Sequence, residues 1–323
     1  MATTIEDLDA GYRALIGACG LLDRSERGKL ALTGADAKSF LAGQVTNDIE
    51  GLAAGTGCYA AFLTHKGKML GDLRVLAVDD AGENMPELQL DTERATLQAL
   101  FDMIRRFKIG YDVELHKRTV QRGLLSLIGP DARAVAGAPA DLPADEHAHA
   151  PGTVGAAAVR FIVTDGGVDV LCQADDTKTV RAALLAACAT PVSEAAVEIV
   201  RVERGRPRYG PDLDAATIPQ EAGLNERAVS FTKGCYVGQE TVARLFYRGK
   251  PNRHLRGLRL TQPAPSGTEL HLGERLVGRI GSSVVSPALG PIALALVRRE
   301  VAVGDTLAVD GGSHAEVVEL PFA

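Results

Sequence analysis

The residues best suited to chemistry are concentrated in one segment, between positions 201 and 248. Its carboxylates could accept paired N–H donors from an aminopyrimidine-type ring: Glu203, Glu221 and Glu240. Its basic side chains could hold an anionic tail: Arg206, Arg208, Lys233, Arg244 and Arg248. Glycines at positions 205, 210, 223, 234 and 238 allow the backbone to turn and to approach a ligand closely. The segment therefore favours binding of a ring that carries an anionic tail.

Each of these residue types also has a plain structural explanation. A Glu beside Arg on a helix is usually a solvated charge, and glycines form turns more often than ligand cradles. A lone cysteine is usually a small buried apolar residue. Cys235 departs from that default because it follows Lys233 and Gly234 in a loop-like context, where a neighbouring cation favours the thiolate. We predict that Cys235 is the reactive thiol and that the other cysteines fill apolar space: Cys19, Cys58, Cys172 and Cys188.

Composition limits the classes of function. The chain has 323 residues, no Trp, 4% aromatic residues and a net charge of -6. Negative charge and few aromatics argue against direct nucleic-acid binding, which relies on phosphate neutralisation and base stacking. The five cysteines form no Cys-x-x-Cys pair, so we predict no metal site. We see no signal pattern or spanning-length apolar run, so we expect a cytoplasmic protein without membrane contact.

Hydrophobic periodicity predicts the elements that position these residues. A β-α-β-β-α-β order over about 20–120 recurs over 121–250, which is a ferredoxin-like pattern. The segment 138–151 is rich in Ala, Pro, Asp and His, and we expect an exposed loop there. From 251 to 323, short alternating runs separated by Gly and Pro predict a small antiparallel β domain. We therefore expect an α+β chain with domains at 1–250 and 251–323.

The string from 233 to 240 resembles a known signature. It is similar to the Lys-Gly-Cys-x-x-Gly-Gln-Glu motif of the YgfZ family, folate-binding relatives of the glycine-cleavage T-protein, an aminomethyltransferase. The matching residues are Lys233, Gly234, Cys235, Gly238, Gln239 and Glu240, and Tyr236 is also typical. Blocks at 201–207, 209–210 and 219–224 resemble the T-protein side of the superfamily, and the hairpin at 62–75 is similar to the family as well.

The resemblance implies a ring of three domains around a central channel. Two are ferredoxin-like units interleaved in sequence, and the third is a C-terminal antiparallel β-barrel. The implied cofactor is tetrahydrofolate or a derivative, with Glu203 at the pterin edge. The expected folate-binding residues are Glu203, Arg206, Tyr209, Glu221 and Arg244. The implied partners are iron–sulfur client proteins, including enzymes that modify tRNA, with transient contact between Cys235 and a cluster.

Two functions from different classes stay open. One is a folate-binding accessory protein for iron–sulfur enzymes, and the other is a tetrahydrofolate-dependent aminomethyltransferase. The cysteine-containing signature favours the first, because it is not characteristic of the transferase. The transferase resembles Leu-Asp-Asp-Leu where this chain has Leu70-Gly71-Asp72-Leu73, so one acid is replaced and we expect no conventional turnover. A third alternative is folate binding without catalysis.

Overall fold

The computed structural model describes residues 5–79 and 87–322. It contains two β-sheets with helices and a closed six-stranded antiparallel barrel near the C-terminus, which confirms the predicted fold class. The chain divides into two compact units. Unit 1 comprises residues up to 63, 70–194 and 227–237, and unit 2 comprises 64–69, 195–226 and 238 onward. Among the described residues, no helix has the length and apolar content needed to span a membrane.

The helices are α1 (Ile5–Gly17), α2 (Ala37–Ala42), α3 (Leu97–Phe107), α4 (Ala132–Ala136), α5 (Thr177–Ala186), α6 (Glu194–Glu203), α7 (Asn225–Ala228) and α8 (Gln239–Arg248). The strands of the two sheets are β1 (Gly20–Asp23), β2 (Gly28–Thr33), β3 (Gly57–Leu63), β4 (Met69–Val78), β5 (Glu87–Thr92), β6 (Glu114–Lys117), β7 (Arg122–Ile128), β8 (His149–Val154), β9 (Ala157–Thr164), β10 (Gly167–Gln173) and β11 (Thr190–Pro191). The barrel strands are β12 (Arg253–Leu260), β13 (Glu269–Leu272), β14 (Arg275–Ser286), β15 (Gly290–Arg298), β16 (Thr306–Val309) and β17 (Ser313–Val318).

The five-stranded sheet of unit 1 has the order β3-β4-β5-β2-β6. The predicted β-α-β-β-α-β order corresponds to β2, α2, β3, β4, α3 and β6, and the structure adds β5 between β4 and β2. Phe40 on α2 and Leu100 on α3 are fully buried in the same apolar cluster as Phe62 of β3. Burial of these large side chains is the main contribution that holds the two helices on the sheet.

The six-stranded sheet of unit 1 has the order β11-β1-β7-β10-β9-β8. Strand β1 lies between β7, to which it is antiparallel, and β11, to which it is parallel. Because β1 precedes the whole five-stranded sheet in the chain, the two sheets are interleaved in sequence. In the core of the six-stranded sheet, Val168 and Phe161 pack together with Val180 of α5.

Two local predictions are wrong. The segment 138–151 is not an exposed loop throughout, because His147 and His149 are 8% and 4% exposed and His149 begins β8. His149 Nδ1 lies 2.8 Å from Arg160 Nη1 on the paired strand β9, so a buried polar contact holds an edge that lacks an apolar pattern. Cys188, predicted to fill apolar space in a helix, is exposed with φ 71° beyond the end of α5.

The barrel strands follow the order β12-β15-β14-β13-β16-β17, and β17 pairs with β12 to close it. Leu258, Leu270 and Leu307 are fully buried inside. The register of β14 against β15 shifts between Ile280 and Ser283, which is a β-bulge. The bulge matters for the site, because it releases the Ser282 backbone N–H from the ladder.

Candidate functional site

Lys233 anchors the signature loop within unit 1. Its Nζ donates to the carbonyl oxygen of Val45 at 2.8 Å and to that of Ala42, just after α2. The same ammonium lies 5.0 Å from the centre of the Tyr236 ring, which is buried. Burial lowers the pKa of Lys233 to about 8. The cation that the sequence places beside Cys235 is therefore directed to main-chain carbonyls.

Cys235 presents its thiol to solvent, as the sequence predicts. The neighbouring Gly234 is also open, since a Cβ added there would meet no atom within 4 Å. Cys19 and Cys172 are buried, and burial raises the pKa of Cys19 to about 11. Burial also raises the pKa of the half-buried Cys58 to about 12. Solvent access to its thiol therefore distinguishes Cys235 from Cys19, Cys58 and Cys172.

The second half of the signature forms the start of α8 in unit 2. Gly238 has φ 85° and precedes Gln239, the first residue of the helix. A Cβ on Gly67, in the turn between β3 and β4, would lie 2.9 Å from Thr241 Cβ and 3.3 Å from the Gly238 carbonyl oxygen. The turn and α8 therefore pack too closely for a side chain at position 67. Two further candidate residues, Glu240 and Arg244, are exposed on α8.

Asp72, the acid that remains in the Leu70-Gly71-Asp72-Leu73 segment, is buried. Tyr59 Oη donates to Asp72 Oδ2 at 2.7 Å. Burial raises the pKa of Asp72, although the hydrogen bond from Tyr59 and the charge of Arg27 act in the opposite direction. The Arg227 guanidinium lies 5.0 Å from the Tyr59 ring centre and pairs with Glu146. No local spacing could identify Tyr59 or Arg227, because their partners lie 13 to 168 positions away.

Position 71 has no room for the acid found in the transferase pattern. A Cβ on Gly71 would lie 2.7 Å from ring carbons of Phe62 and 2.8 Å from Thr96 Cβ. Real Cβ atoms do not approach neighbours so closely, and Phe62 is fully buried. The packing around this glycine therefore fits a chain with one carboxyl, that of Asp72, and not two.

Glu203 ends α6 in unit 2 and contacts the barrel. Its Oε1 accepts a hydrogen bond from Ser286 Oγ at 2.5 Å, and its carbonyl oxygen accepts from the Phe322 N–H at 3.0 Å. Gly205 follows with φ 65°, and a Cβ there would lie 2.8 Å from Leu320 Cβ. The Glu-x-Gly spacing thus ends the helix and fixes the carboxylate of Glu203 at that end.

Arg201 secures the same helix end. It pairs with Glu198 at 2.7 Å and with Asp212 at 2.9 Å, and Asp212 also accepts from the Ser282 N–H freed by the bulge at 2.7 Å. Arg201 Nη1 also donates to the Arg206 carbonyl oxygen, and Arg206 itself is half-buried. Through these contacts Arg201, the first residue of the Arg-x-Glu pattern, holds the helix end that carries Glu203 in place.

Glu221 is buried and its carboxylate is used by the protein. Arg253 Nη2 donates to Glu221 Oε2 at 2.8 Å, and the Ile218 N–H donates to the same atom at 3.1 Å. This gives Glu221 a structural role that its spacing in the sequence does not reveal.

Tyr209 Oη lies at the limit of hydrogen bonding, 3.5 Å from the Met69 carbonyl oxygen. The predicted folate-binding residues all belong to unit 2, whereas Lys233, Cys235 and Tyr236 belong to unit 1.

The sequence and the structure are similar to known proteins along almost the whole chain. Residues 4–233 match the family description "GCVT N-terminal domain", and residues 253–323 match "Glycine cleavage T-protein C-terminal barrel domain". The Arabidopsis thaliana protein "Putative transferase At1g60990, chloroplastic" is 28% identical over 98% of this chain and 73% of its own length. The crystal structure of glycine cleavage system aminomethyltransferase T from Bartonella henselae has a TM-score of 0.86 at 22% identity, over 98% of this chain and 89% of that one. That similarity concerns the fold.

Proposed function

Because the chain belongs to the glycine cleavage T-protein family, we propose that it is a folate-binding accessory protein of the YgfZ type, which supports assembly or maintenance of iron–sulfur enzymes, including those that modify tRNA. The observation that carries this proposal is the exposed thiol of Cys235 within the 233–240 signature. Thiolates are the usual protein ligands of iron–sulfur clusters. An exposed thiol beside an open glycine could contact a cluster that belongs to a client protein.

One carboxylate of unit 2 fits the pterin edge of a tetrahydrofolate cofactor. Glu203, held by Ser286, is an acceptor suited to the N–H groups of the pterin edge. In unit 1, Asp72 is buried and has a raised pKa, which suits it to proton exchange. The bound cofactor would supply the nitrogen atoms that carry one-carbon units. We propose that Arg206, Tyr209 and the exposed Arg244 contribute further contacts to it.

Gly71 separates this proposal from the transferase alternative. Phe62 and Thr96 fill the space that an acid at position 71 would need, so the second carboxyl of the transferase pattern is absent and its place is closed. General acid–base assistance by a placed group is worth roughly 10²–10⁴-fold in rate. Loss of one acid therefore supports an accessory role without ordinary turnover.

Complementation in cells that lack the protein tests the accessory role. We expect Cys235→Ala to fold normally but to fail to restore the activity of an iron–sulfur client enzyme. Cys188→Ala is the matched control, because it removes the other exposed thiol outside the signature, and we expect it to restore activity fully. Thermal unfolding of both variants checks that they fold. Full restoration by Cys235→Ala would show that Cys235 is structural and that the accessory role does not use its thiol, whereas failure of the unmodified protein to restore activity would overturn the accessory role.

Aminomethyl transfer is the second candidate, and the buried Asp72–Tyr59 pair favours it. The Arabidopsis relative is also named as a transferase. An assay with an aminomethylated carrier and tetrahydrofolate decides between the two functions. We expect little or no transfer, and turnover comparable with that of ordinary enzymes would establish the transferase instead.

We further propose a cytoplasmic location for this protein, whereas the Arabidopsis relative is named chloroplastic.

A further inference from the structure

A groove of about 570 Å³ lies on the barrel in unit 2, and none of the residues assigned above to folate lines it. We call it the arginine groove, because Arg253, Arg279 and Arg298 all line it. Leu276 and Leu296 supply apolar surface, and the backbone of Gly278 and Gly281 lines it closely. Ligand pockets commonly have volumes of roughly 300–1,000 Å³, so the groove has room for a small organic molecule.

The strand register brings the three guanidinium groups to one face. Arg253 on β12 is directly opposite Arg298 on β15. On the other side of β15, Arg279 of β14 is opposite Leu296, which shares a face with Arg298 because strand side chains alternate. Like charges directly opposite each other destabilise a sheet. Glu221 pairs with Arg253, so Arg298 is the member of this cross-strand pair that an anion would neutralise.

Hydrogen-bonding capacity is available on all three arginines. Arg253 uses Nε and Nη2 for Glu221 and the Ala216 carbonyl, and Arg279 uses Nε and Nη2 for Glu269. Within residues 5–79 and 87–322, neither Nη1 has a hydrogen bond, and Arg298 has no side-chain hydrogen bond or ion pair. A guanidinium carries five N–H donors in a planar fork that matches carboxylate and phosphate oxygens.

Carboxylates neutralise Arg253 and Arg279, which pair with Glu221 and Glu269, but among the described residues none pairs with Arg298. Asp212 lines the groove, but its carboxylate is buried and bound by Arg201 and Ser282. Asp214 accepts hydrogen bonds from Thr217 Oγ1 at 2.8 Å and from the Ala216 N–H at 2.9 Å within its own loop. The positive charge of Arg298 is therefore left for a ligand.

We propose that the arginine groove binds a small organic anion through its carboxylate or phosphate groups. Arg298 would make the main contact, and the Nη1 groups of Arg253 and Arg279 would complete it. The leucines would contact the apolar part of the ligand. None of Glu203, Arg206, Tyr209 and Arg244, which are proposed above to contact folate, lines the groove.

Titration calorimetry with pyrophosphate and with tricarballylate, a tricarboxylate, tests the groove. Arg298→Gln is the informative variant, and Arg299→Gln is its matched control. Both residues are exposed neighbours at the end of β15, so each change removes one positive charge, but only Arg298 lines the groove. We expect Arg298→Gln to weaken binding by about tenfold or more, since hydrogen bonds between charged groups are strong, and Arg299→Gln to change it by less than about twofold.

Each outcome has a definite meaning. Tighter binding of pyrophosphate than of tricarballylate supports a phosphate ligand, and the reverse order supports a carboxylate ligand. Absence of binding to the unmodified protein by both probes would overturn the proposal. Equal losses in Arg298→Gln and Arg299→Gln would overturn it as well, because they would indicate diffuse charge attraction. Because the anionic-tail contacts proposed for folate could also take these probes, tetrahydrofolate binding is measured in the same variants, and we expect Arg298→Gln to leave it unchanged.

Discussion

The proton exchange proposed for Asp72 would depend on the same burial that disfavours its ionised form in the folded protein. Its pKa is raised mainly by burial, so the ionised carboxyl is unfavourable in the folded protein above that pKa, and the penalty disappears as pH falls through it. We expect Asp72→Asn to raise the Tm at pH 8, because the amide carries no charge and still accepts the Tyr59 hydroxyl. The gain should shrink toward acidic pH. Thermal unfolding at several pH values measures it, and a loss of stability at pH 8 would contradict the prediction.

Glu203 permits a direct test of the cofactor. A hydrogen bond to a charged group contributes roughly 1.5–3 kcal/mol, so Glu203→Ala should weaken tetrahydrofolate binding by about one to two decades. Glu316→Ala is the control, since it removes an exposed carboxylate from β17 of the barrel and should leave the affinity unchanged. Unchanged affinity of a folded Glu203→Ala variant would remove Glu203 from the site.

Sequence reasoning at the residue scale succeeded where the neighbours in the chain decide the environment. The exposure of Cys235 follows from its glycine-rich context, and the sequence predicts it. The role of Glu221 does not follow, because its partner Arg253 lies 32 residues away and no spacing rule connects them. The exposure of Cys188 was missed because α5 ends at Ala186, earlier than its Ala-rich continuation suggests.

At the scale of elements, Lys233 connects the signature loop to the end of α2. Lys233→Met would leave the buried carbonyl oxygens of Ala42 and Val45 without this donor. An unsatisfied buried polar group costs roughly 1–3 kcal/mol, so the free energy of unfolding should fall by about 2 kcal/mol. Lys66→Met, at the exposed turn between β3 and β4, is the control and should have little effect. Urea denaturation compares the two variants, and equal effects would contradict an anchoring role.

Elements were predictable where the hydrophobic pattern was strong. The barrel and the pair β3 and β4 alternate or run apolar between Gly-containing turns, which is the usual strand signal. The predicted β-α-β-β-α-β order has no strand at 87–92, where the structure forms β5. Strand β8 consists largely of Ala, Pro, Gly and Thr, which give no apolar alternation. It forms because β9 supplies a paired edge, a tertiary effect that one segment cannot show.

At the scale of the whole chain, the interleaving of the two sheets in unit 1 is invisible to local patterns. Strand β1 pairs with β7 of the six-stranded sheet, and the paired residues are more than a hundred positions apart.

A buried ion network also links the two sheets of unit 1. Arg74 of β4 pairs with Asp91 of β5 at 2.9 Å and with Asp169 of β10 at 2.7 Å. Ser126 Oγ donates to Asp169 at 2.6 Å, so the network is hydrogen-bonded as well as charged.

Arg74→Met should therefore destabilise the protein strongly, because it leaves Asp91 and Asp169 buried without that partner. Breaking a buried pair costs roughly 3–5 kcal/mol, whereas Arg105→Met, which removes an exposed pair on α3, should cost less than about 1 kcal/mol.

The arginines around Asp91 lower its pKa to about 2, although burial acts in the opposite direction. A lowered carboxyl pKa stabilises the folded state above the ordinary Asp value of about 3.9, and the contribution is lost as pH falls toward the lowered value. The difference between the unmodified protein and Arg74→Met should thus be full at pH 6 and narrow between about pH 4 and pH 2. Denaturation across that range measures it, and a difference independent of pH would mean that Arg74 stabilises the sheets by packing and not by charge.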